Sequence, residues 1–251
     1  MKKDSISRFS NRVDNYVKYR SHYPPEIIDF LKTENILKDD SVIADIGSGT
    51  GISSELFLQN GNTVYGVEPN NAMRSAAERL LSVNSNFSGI NGTAENTTLE
   101  NNSIDIVLAG QAFHWFDKDR AKSEFRRILK PGGRIILMWN IKIYGGSPLM
   151  NEYLTLLINT SPDYNEVKHE NVNNDDFYKF FDGNYKIQKF DNRQVLDYEG
   201  FKGRLLSSSY VPTPGMPGFE TMIEELRKIF DKYNQNGKVT IKYETKLIYG
   251  K

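Results

Sequence analysis

The sequence predicts an α/β fold organised on a parallel, doubly wound sheet, and two observations predict it. Segments of strand character alternate with segments of helical character from Asp45 to Trp139, the order that gives parallel strands joined by right-handed crossovers. The first strand, Val42-Ile43-Ala44-Asp45-Ile46, reads as buried on both faces and runs straight into Gly47-Ser48-Gly49-Thr50-Gly51, which turns into a helix near Ile52. A strand, a glycine turn and a helix in that order make a nucleotide site.

The details of the turn select the nucleotide. A dinucleotide fingerprint needs glycines spaced G-x-G-x-x-G, with the third allowing close helix packing beside a pyrophosphate. Here the third glycine comes one residue early, at Gly51, and Ile52 stands where that fingerprint needs glycine. Asp45, at the strand end, would repel a pyrophosphate and attract an ammonium or sulfonium by the same Coulomb term. The pattern favours a cationic ligand.

Asp45-Ile-Gly47-Ser-Gly49-Thr-Gly51 resembles motif I of the class I methyltransferases that use S-adenosylmethionine, whose cofactor carries both cations on an adenosine. The resemblance implies a Rossmann-like sheet, mostly parallel with a C-terminal antiparallel strand pair, plus helical cap and lid segments. It implies one methyltransferase domain over residues 1–251, with a cap at 1–40, a cofactor core at 41–140, and C-terminal strands with inserted lid helices at 141–251.

Length and composition fit that expectation. A chain of 251 residues is long enough for a substantial core, and its 32 basic residues balance its 32 acidic ones, so no global charge draws it to nucleic acid or an anionic membrane. A small-molecule acceptor is the expected partner, while the oligomeric state is open. The absence of cysteine removes disulfides, thiolate metal sites and cysteine nucleophiles together, and no metal site is expected. No stretch of about eighteen apolar residues occurs, so a cytoplasmic protein is expected. Fourteen Tyr and fourteen Phe against two Trp suggest an aromatic-lined pocket, though aromatics mostly serve cores.

Taken in order, the segment from Ser7 to Tyr23 is polar and aromatic and precedes Pro24-Pro25, which starts a helix over 25–34 packing Ile27, Ile28, Phe30 and Leu31 inward. Its Tyr16, Tyr19, Arg20 and Tyr23 resemble the Tyr-x-x-Tyr-Arg-x-x-Tyr-Pro cap of a methyltransferase subgroup, which implies that Tyr16 and Arg20 close over the cofactor and its carboxylate. A helix over 53–60 follows the glycine turn. The second strand, Thr63–Val67, ends at Glu68-Pro69-Asn70, where an acid would bond both ribose hydroxyls; the competing role is capping the helix that starts near Asn71. Met73, near the start of that 71–81 helix, is placed on the adenine face. A short third strand, Phe87–Ile90, leads to Gly92-Thr93-Ala94-Glu95, which resembles the family's adenine-side loop; a backbone amide of Ala94 or Glu95 is expected on the ring, with the Glu95 carboxylate accepting from its amino group.

The fourth strand, 104–109, delivers Gly110-Gln111-Ala112-Phe113-His114-Trp115-Phe116 to a topological switch point, where open α/β sheets bind ligands. That heptapeptide, Gln111 included, belongs at the transfer site and resembles a small-molecule subgroup containing the trans-aconitate methyltransferase-like proteins. His114 is the one histidine at a predicted active-site strand end; His22 falls in the cap and His169 in a polar loop. His114 acts either as a general base or as a packing residue between Phe113 and Trp115. A helix over 117–129 and a strand over 134–139 follow, joined at Lys130-Pro131-Gly132-Gly133. Beyond Asn140 helices are predicted over 148–159, 175–181, 199–208 and 219–233, and strands over 185–195 and 238–249. The amphipathic 219–233 helix covers an acceptor pocket or offers a partner-binding face.

The implied reaction is methyl transfer from S-adenosylmethionine to an O, N or C nucleophile on a small metabolite, a carboxylate included. A non-catalytic cofactor-binding or interaction protein shares these motifs, and a nicotinamide-dependent oxidoreductase shares the first half of the architecture.

Overall fold

The computed structural model describes residues 13–161, 164 and 174–251, and for Val13, Asp14 and Tyr16 the backbone alone. Helices α1 (Val13–Tyr19) and α2 (Glu26–Thr33) precede the alternating unit β1 (Val42–Ile46), α3 (Ile52–Gln59), β2 (Thr63–Val67), α4 (Asn71–Leu80) and β3 (Phe87–Ile90). Then come β4 (Ile104–Gly110), a 3-10 turn at Phe113–Trp115, α5 (Lys118–Ile128) and β5 (Leu129–Lys142). After these the chain forms α6 (Pro148–Thr160), α7 (Asn174–Phe180), β6 (Tyr185–Leu196), α8 (Tyr198–Leu206), α9 (Phe219–Tyr233) and β7 (Val239–Gly250). Every predicted strand is present.

The seven strands lie in the order β3-β2-β1-β4-β5-β7-β6, the first five parallel and β7 antiparallel to both its neighbours. The chain winds outward from β1 on one side and from β4 on the other, so the switch point lies between the carboxyl ends of these two strands. Apolar side chains follow from being covered on both faces. Ile27, Leu31 and Phe57 from α2 and α3 pack with Ile43, Ile106 and Leu108 on one side, whereas Phe125 and Ile128 of α5 and Phe180 of α7 pack with Ala44, Val107 and Leu137 on the other.

One boundary differs from expectation. Strand β5 is not confined to 134–139: a ladder with β7 carries it on to Lys142, and Leu129 pairs with Ile104 before Lys130–Gly133 bulge out, with Gly132 at φ +89°. The apolar stripe of α9, which could have served a partner, is turned inward instead. Phe219, Met222, Leu226, Ile229 and Phe230 pack with Leu149, Tyr153 and Leu157 of α6, Phe201 and Leu205 of α8, and Ile241 and Tyr243 of β7. This third cluster is a helical layer standing beyond the carboxyl end of β5. Helix α1 packs onto it through Tyr19, whose ring lies where a Cβ on Gly203 of α8 would be.

Candidate functional site

The turn after β1 takes a shape only glycine adopts without strain: Gly47, Gly49 and Gly51 have φ of +69°, +57° and +86°. A Cβ on Gly47 would stand 2.7 Å from that of Ala112, so the turn and the β4 tip approach with nothing between them. Across β4, Gln111 also holds a positive φ, +58°, fixed because its N–H donates to Met138 O at 2.8 Å. Its side-chain Nε2 donates to Asn140 O at 3.3 Å.

Between these two tips opens a cavity of about 200 Å³. Its floor and walls bring together Gly47, Gly49, Glu68, Pro69, Met73, Ala94, Glu95 and Gln111, eight of the residues singled out from the sequence. Ala112, Trp115 and Phe116 add an apolar wall. A second, smaller cavity of about 30 Å³ is lined by Arg20, Ser21, Tyr23, Ser48 and Ser53, and shares Gly47, Gly110 and Gln111 with the first. The cap arginine thus stands at the continuation of the main cavity. Its Nη2 donates to Ser207 O at 2.8 Å, at the end of α8.

Glu68 is held by two backbone groups, Gly49 N–H donating to Oε2 at 3.0 Å and Asn70 N–H to Oε1 at 2.8 Å. Burial pushes its carboxyl above the usual range, and the two N–H donors oppose that shift. It does not cap α4; the Asn70 side chain does, accepting from Ala72 and Met73 N–H.

One placement departs from expectation. Asp45 does not line either cavity: it is fully buried behind the turn, where Ser53 and Ser54 hydroxyls donate to Oδ2 at 2.6 and 2.7 Å, and Oδ1 has no partner among the described residues. Burial raises its carboxyl to about 6, the serine bonds opposing and the Glu68 charge adding to the shift. The hydroxyls of two residues at the start of the following helix hold the acid inward. The Glu95 carboxylate lines the main cavity, but its Oε1 accepts from Asp117 N–H at 2.8 Å and so ties the adenine-side loop to the start of α5. His114 lies outside both linings, its half-buried ring tilted against Trp115 at 4.7 Å. The side chain of Tyr16 and all of His169 lie outside the described residues.

Sequence reasoning missed Asn140. Buried at the end of the apolar run Ile135–Trp139, its Nδ2 donates to Ser21 O, Ser21 Oγ and His22 O at 3.0–3.2 Å, while Thr245 Oγ1 donates to its Oδ1 at 2.5 Å. One amide thereby anchors the cap segment to the sheet. A polar residue closing an apolar strand was the available signal.

A family model described as a methyltransferase domain matches residues 44–137. An uncharacterized methyltransferase of Mycobacterium tuberculosis is 36% identical over 141 residues, which is 56% of this chain and 55% of the relative. One of Schizosaccharomyces pombe is 30% identical over 138 residues, 53% of each. The chain therefore spans about half the length of the curated relatives it matches. Among solved structures, a provisionally assigned type II methyltransferase from Anaeromyxobacter dehalogenans superposes with a TM-score of 0.69 at 20% identity, covering 93% of this chain and 98% of that one, a likeness of fold. Over its core, residues 44–137, the chain carries a methyltransferase domain, and the motif I turn and the sheet order agree with that match.

Proposed function

We propose that the protein binds S-adenosylmethionine in the cavity between the β1 and β4 tips and transfers its methyl group to a small-molecule acceptor. The observation that carries the reading is Glu68: a half-buried carboxylate pinned by Gly49 and Asn70 N–H at the mouth of a positive-φ glycine turn, with lone pairs left over for a vicinal diol. An acid at this place meets a ribose in dinucleotide folds as well; Ile52, standing where their third glycine would be, turns the reading to an adenosyl cation.

The residues fit the cofactor part by part. Glu68 would take the ribose hydroxyls, the Ala94 and Glu95 backbone with Met73 and Pro69 the adenine, and Arg20 in the adjoining small cavity the carboxylate. When bound, S-adenosylmethionine supplies a methyl group already activated on a sulfonium, whose carbon–sulfur electron pair returns to sulfur as the acceptor atom takes the methyl. The chain's own contribution is alignment and exclusion of water. Trp115, Phe116 and Ala112 provide an apolar wall, and the strained Gln111 backbone fixes where that wall begins. His114, placed behind Trp115, positions the wall.

Calorimetry with S-adenosylmethionine should show binding that Glu68→Ala weakens by about 1.5–3 kcal/mol. Because the half-buried Glu68 carboxyl lies above its ordinary range, affinity should fall on acidification before an exposed glutamate would titrate. Wild-type affinity in the variant would remove the site assignment. Radiolabel transfer from the cofactor to a metabolite extract separates an enzyme from a binding protein, since binding without transfer leaves the label on the cofactor.

A further inference from the structure

Strand β6 is the outermost of the seven, and no described strand pairs with its free edge. Its residues, Tyr185–Leu196, are each matched to β7 without a break in register, and none of them is proline or glycine. The bulges, prolines and short lengths that commonly guard a sheet edge are therefore missing, and only charges guard this one. One face of the strand is covered: Phe190 packs on Phe30, Asn192 Nδ2 donates to His22 O at 2.9 Å, and Gln194 Nε2 donates to Tyr19 O at 3.1 Å. The other face carries Ile187, Lys189, Asp191, Arg193 and Val195, all exposed.

The charges on that face stand in rows. The register sets Lys189 opposite Lys246, Asp191 opposite Glu244 and Arg193 opposite Lys242, so each row across the two strands holds like charges. Directly opposed like charges repel. One diagonal gives partial relief, Lys189 Nζ meeting Glu244 Oε2 at 3.0 Å. The Lys246 ammonium is nevertheless held below the ordinary lysine range, by burial first and by the Lys189 charge second, with Glu244 opposing. The rows run out at the free edge of β6, where a further strand would add its own charges to them.

A second copy of the chain supplies the opposite signs. Two β6 strands meeting edge to edge are antiparallel about a two-fold axis normal to the sheet, so residues equidistant from that axis pair on one face. With the axis at Phe190, Lys189 faces the partner's Asp191, and the row Lys246–Lys189 continues into the partner's Asp191 and the partner's Glu244. The acidic row Glu244–Asp191 continues likewise into the partner's Lys189 and the partner's Lys246. Ile187 faces the partner's Arg193, Val195 faces the partner's Tyr185, and the two Phe190 rings meet at the centre. An axis at Lys189, Asp191 or Arg193 would oppose that charge to itself. Axes at Gln188 and Asn192 avoid this but pair only 185–191 and 188–196, against 185–195 for Phe190. The Asn192 amide is also committed to the cap.

We propose that the protein is a two-fold dimer in which β6 of each copy pairs antiparallel with β6 of the other about Phe190, joining the two sheets into one. This assembly does not depend on the methyl-transfer reading.

Analytical ultracentrifugation of the full chain should give a dimer that dissociates on dilution. Lys189→Asp sets acid against acid and Asp191→Lys sets cation against cation, each twice per dimer, so either should weaken association by about tenfold or more. An equimolar mixture of the two variants restores both opposite-sign pairs and should dimerise as wild type does. A chain carrying both substitutions should do the same. Arg193→Glu, which faces an isoleucine, should change the dissociation constant by less than about threefold. The chain has no cysteine, so disulfides report the register directly. Lys189→Cys mixed with Asp191→Cys should cross-link under oxidation, and Asp191→Cys mixed with Arg193→Cys should not.

A monomer at every concentration would overturn the proposal and leave the edge to solvent or to a different chain. A dimer untouched by both charge reversals, single variants that fail to rescue each other, or a disulfide between positions 191 and 193 would overturn it as well.

Discussion

Asp45 shows how one side chain can be evident in kind and hidden in role. An acid in a buried strand before a glycine turn is visible in the sequence; that Ser53 and Ser54 draw it away from the cavity depends on where α3 begins. Its pH behaviour follows. In the unfolded chain it ionises near its ordinary value of 3.8, and in the fold at about 6. Between those values the native state holds a proton that the unfolded state has lost, so stability falls as pH rises through the interval. Below it both states are neutral and the penalty is absent; above it the penalty is complete. Asp45→Asn, which can accept from the same two hydroxyls, should therefore be more stable than wild type at pH 8 by about 1–3 kcal/mol, and the gap should close near pH 4. Urea unfolding at the two pH values reads both numbers; a variant weaker at pH 8 would mean that the ionised acid has a favourable partner. For His114 the ring contact with Trp115 supports the packing role of the two open in the sequence, and that role is the proposal tested next. Once an acceptor is in hand, His114→Ala should raise its KM while kcat changes by less than about tenfold, with no acidic limb appearing in the wild-type profile at the histidine pKa. A hundredfold loss of kcat would restore proton transfer.

The elements were largely legible because each carries its own punctuation. Val42–Ile46, Thr63–Val67 and Phe87–Ile90 are short stretches bounded by turn residues, and their limits match expectation. Strand β5 was not, since its last residues are strand only by pairing with β7, and no local pattern announces a ladder to residues some hundred positions away. Arg204 was equally hidden: in Tyr198–Leu206 it reads as the polar face of a surface helix, and only the convergence of α6, α8 and β7 buries it. The contact of α1 with α8 offers a test at this scale. A side chain at Gly203 would collide with the Tyr19 ring, so Gly203→Val should cost about 1–3 kcal/mol and speed hydrogen exchange over Val17–Arg20. Through Arg20 it should also weaken S-adenosylmethionine binding. Gly145→Ala, where a Cβ meets nothing within 4 Å, is the control and should be silent in all three measurements.

Across the whole molecule, the core was readable because motif I, the strand-tip acid and the alternating elements all point to one architecture, which the family match over 44–137 shares. The helical layer carries no such redundancy. No helix among the described residues is long and apolar enough to cross a membrane. The position of β7 has a bearing on how the protein is made. The strand lies between β5 and β6, yet it is the last of the seven to be synthesised, about 100 residues after β5 ends. At about 5–20 residues per second, β5 leaves the ribosome with one edge unpaired for about 5–20 s, and β6 emerges with no strand to join. That open edge borders Ile135–Trp139, an apolar stretch prone to pairing with another nascent chain. Chains arrested at Gln235 should accumulate on chaperones or in aggregates, whereas emergence of Val239–Gly250 lets a single strand close both edges at once.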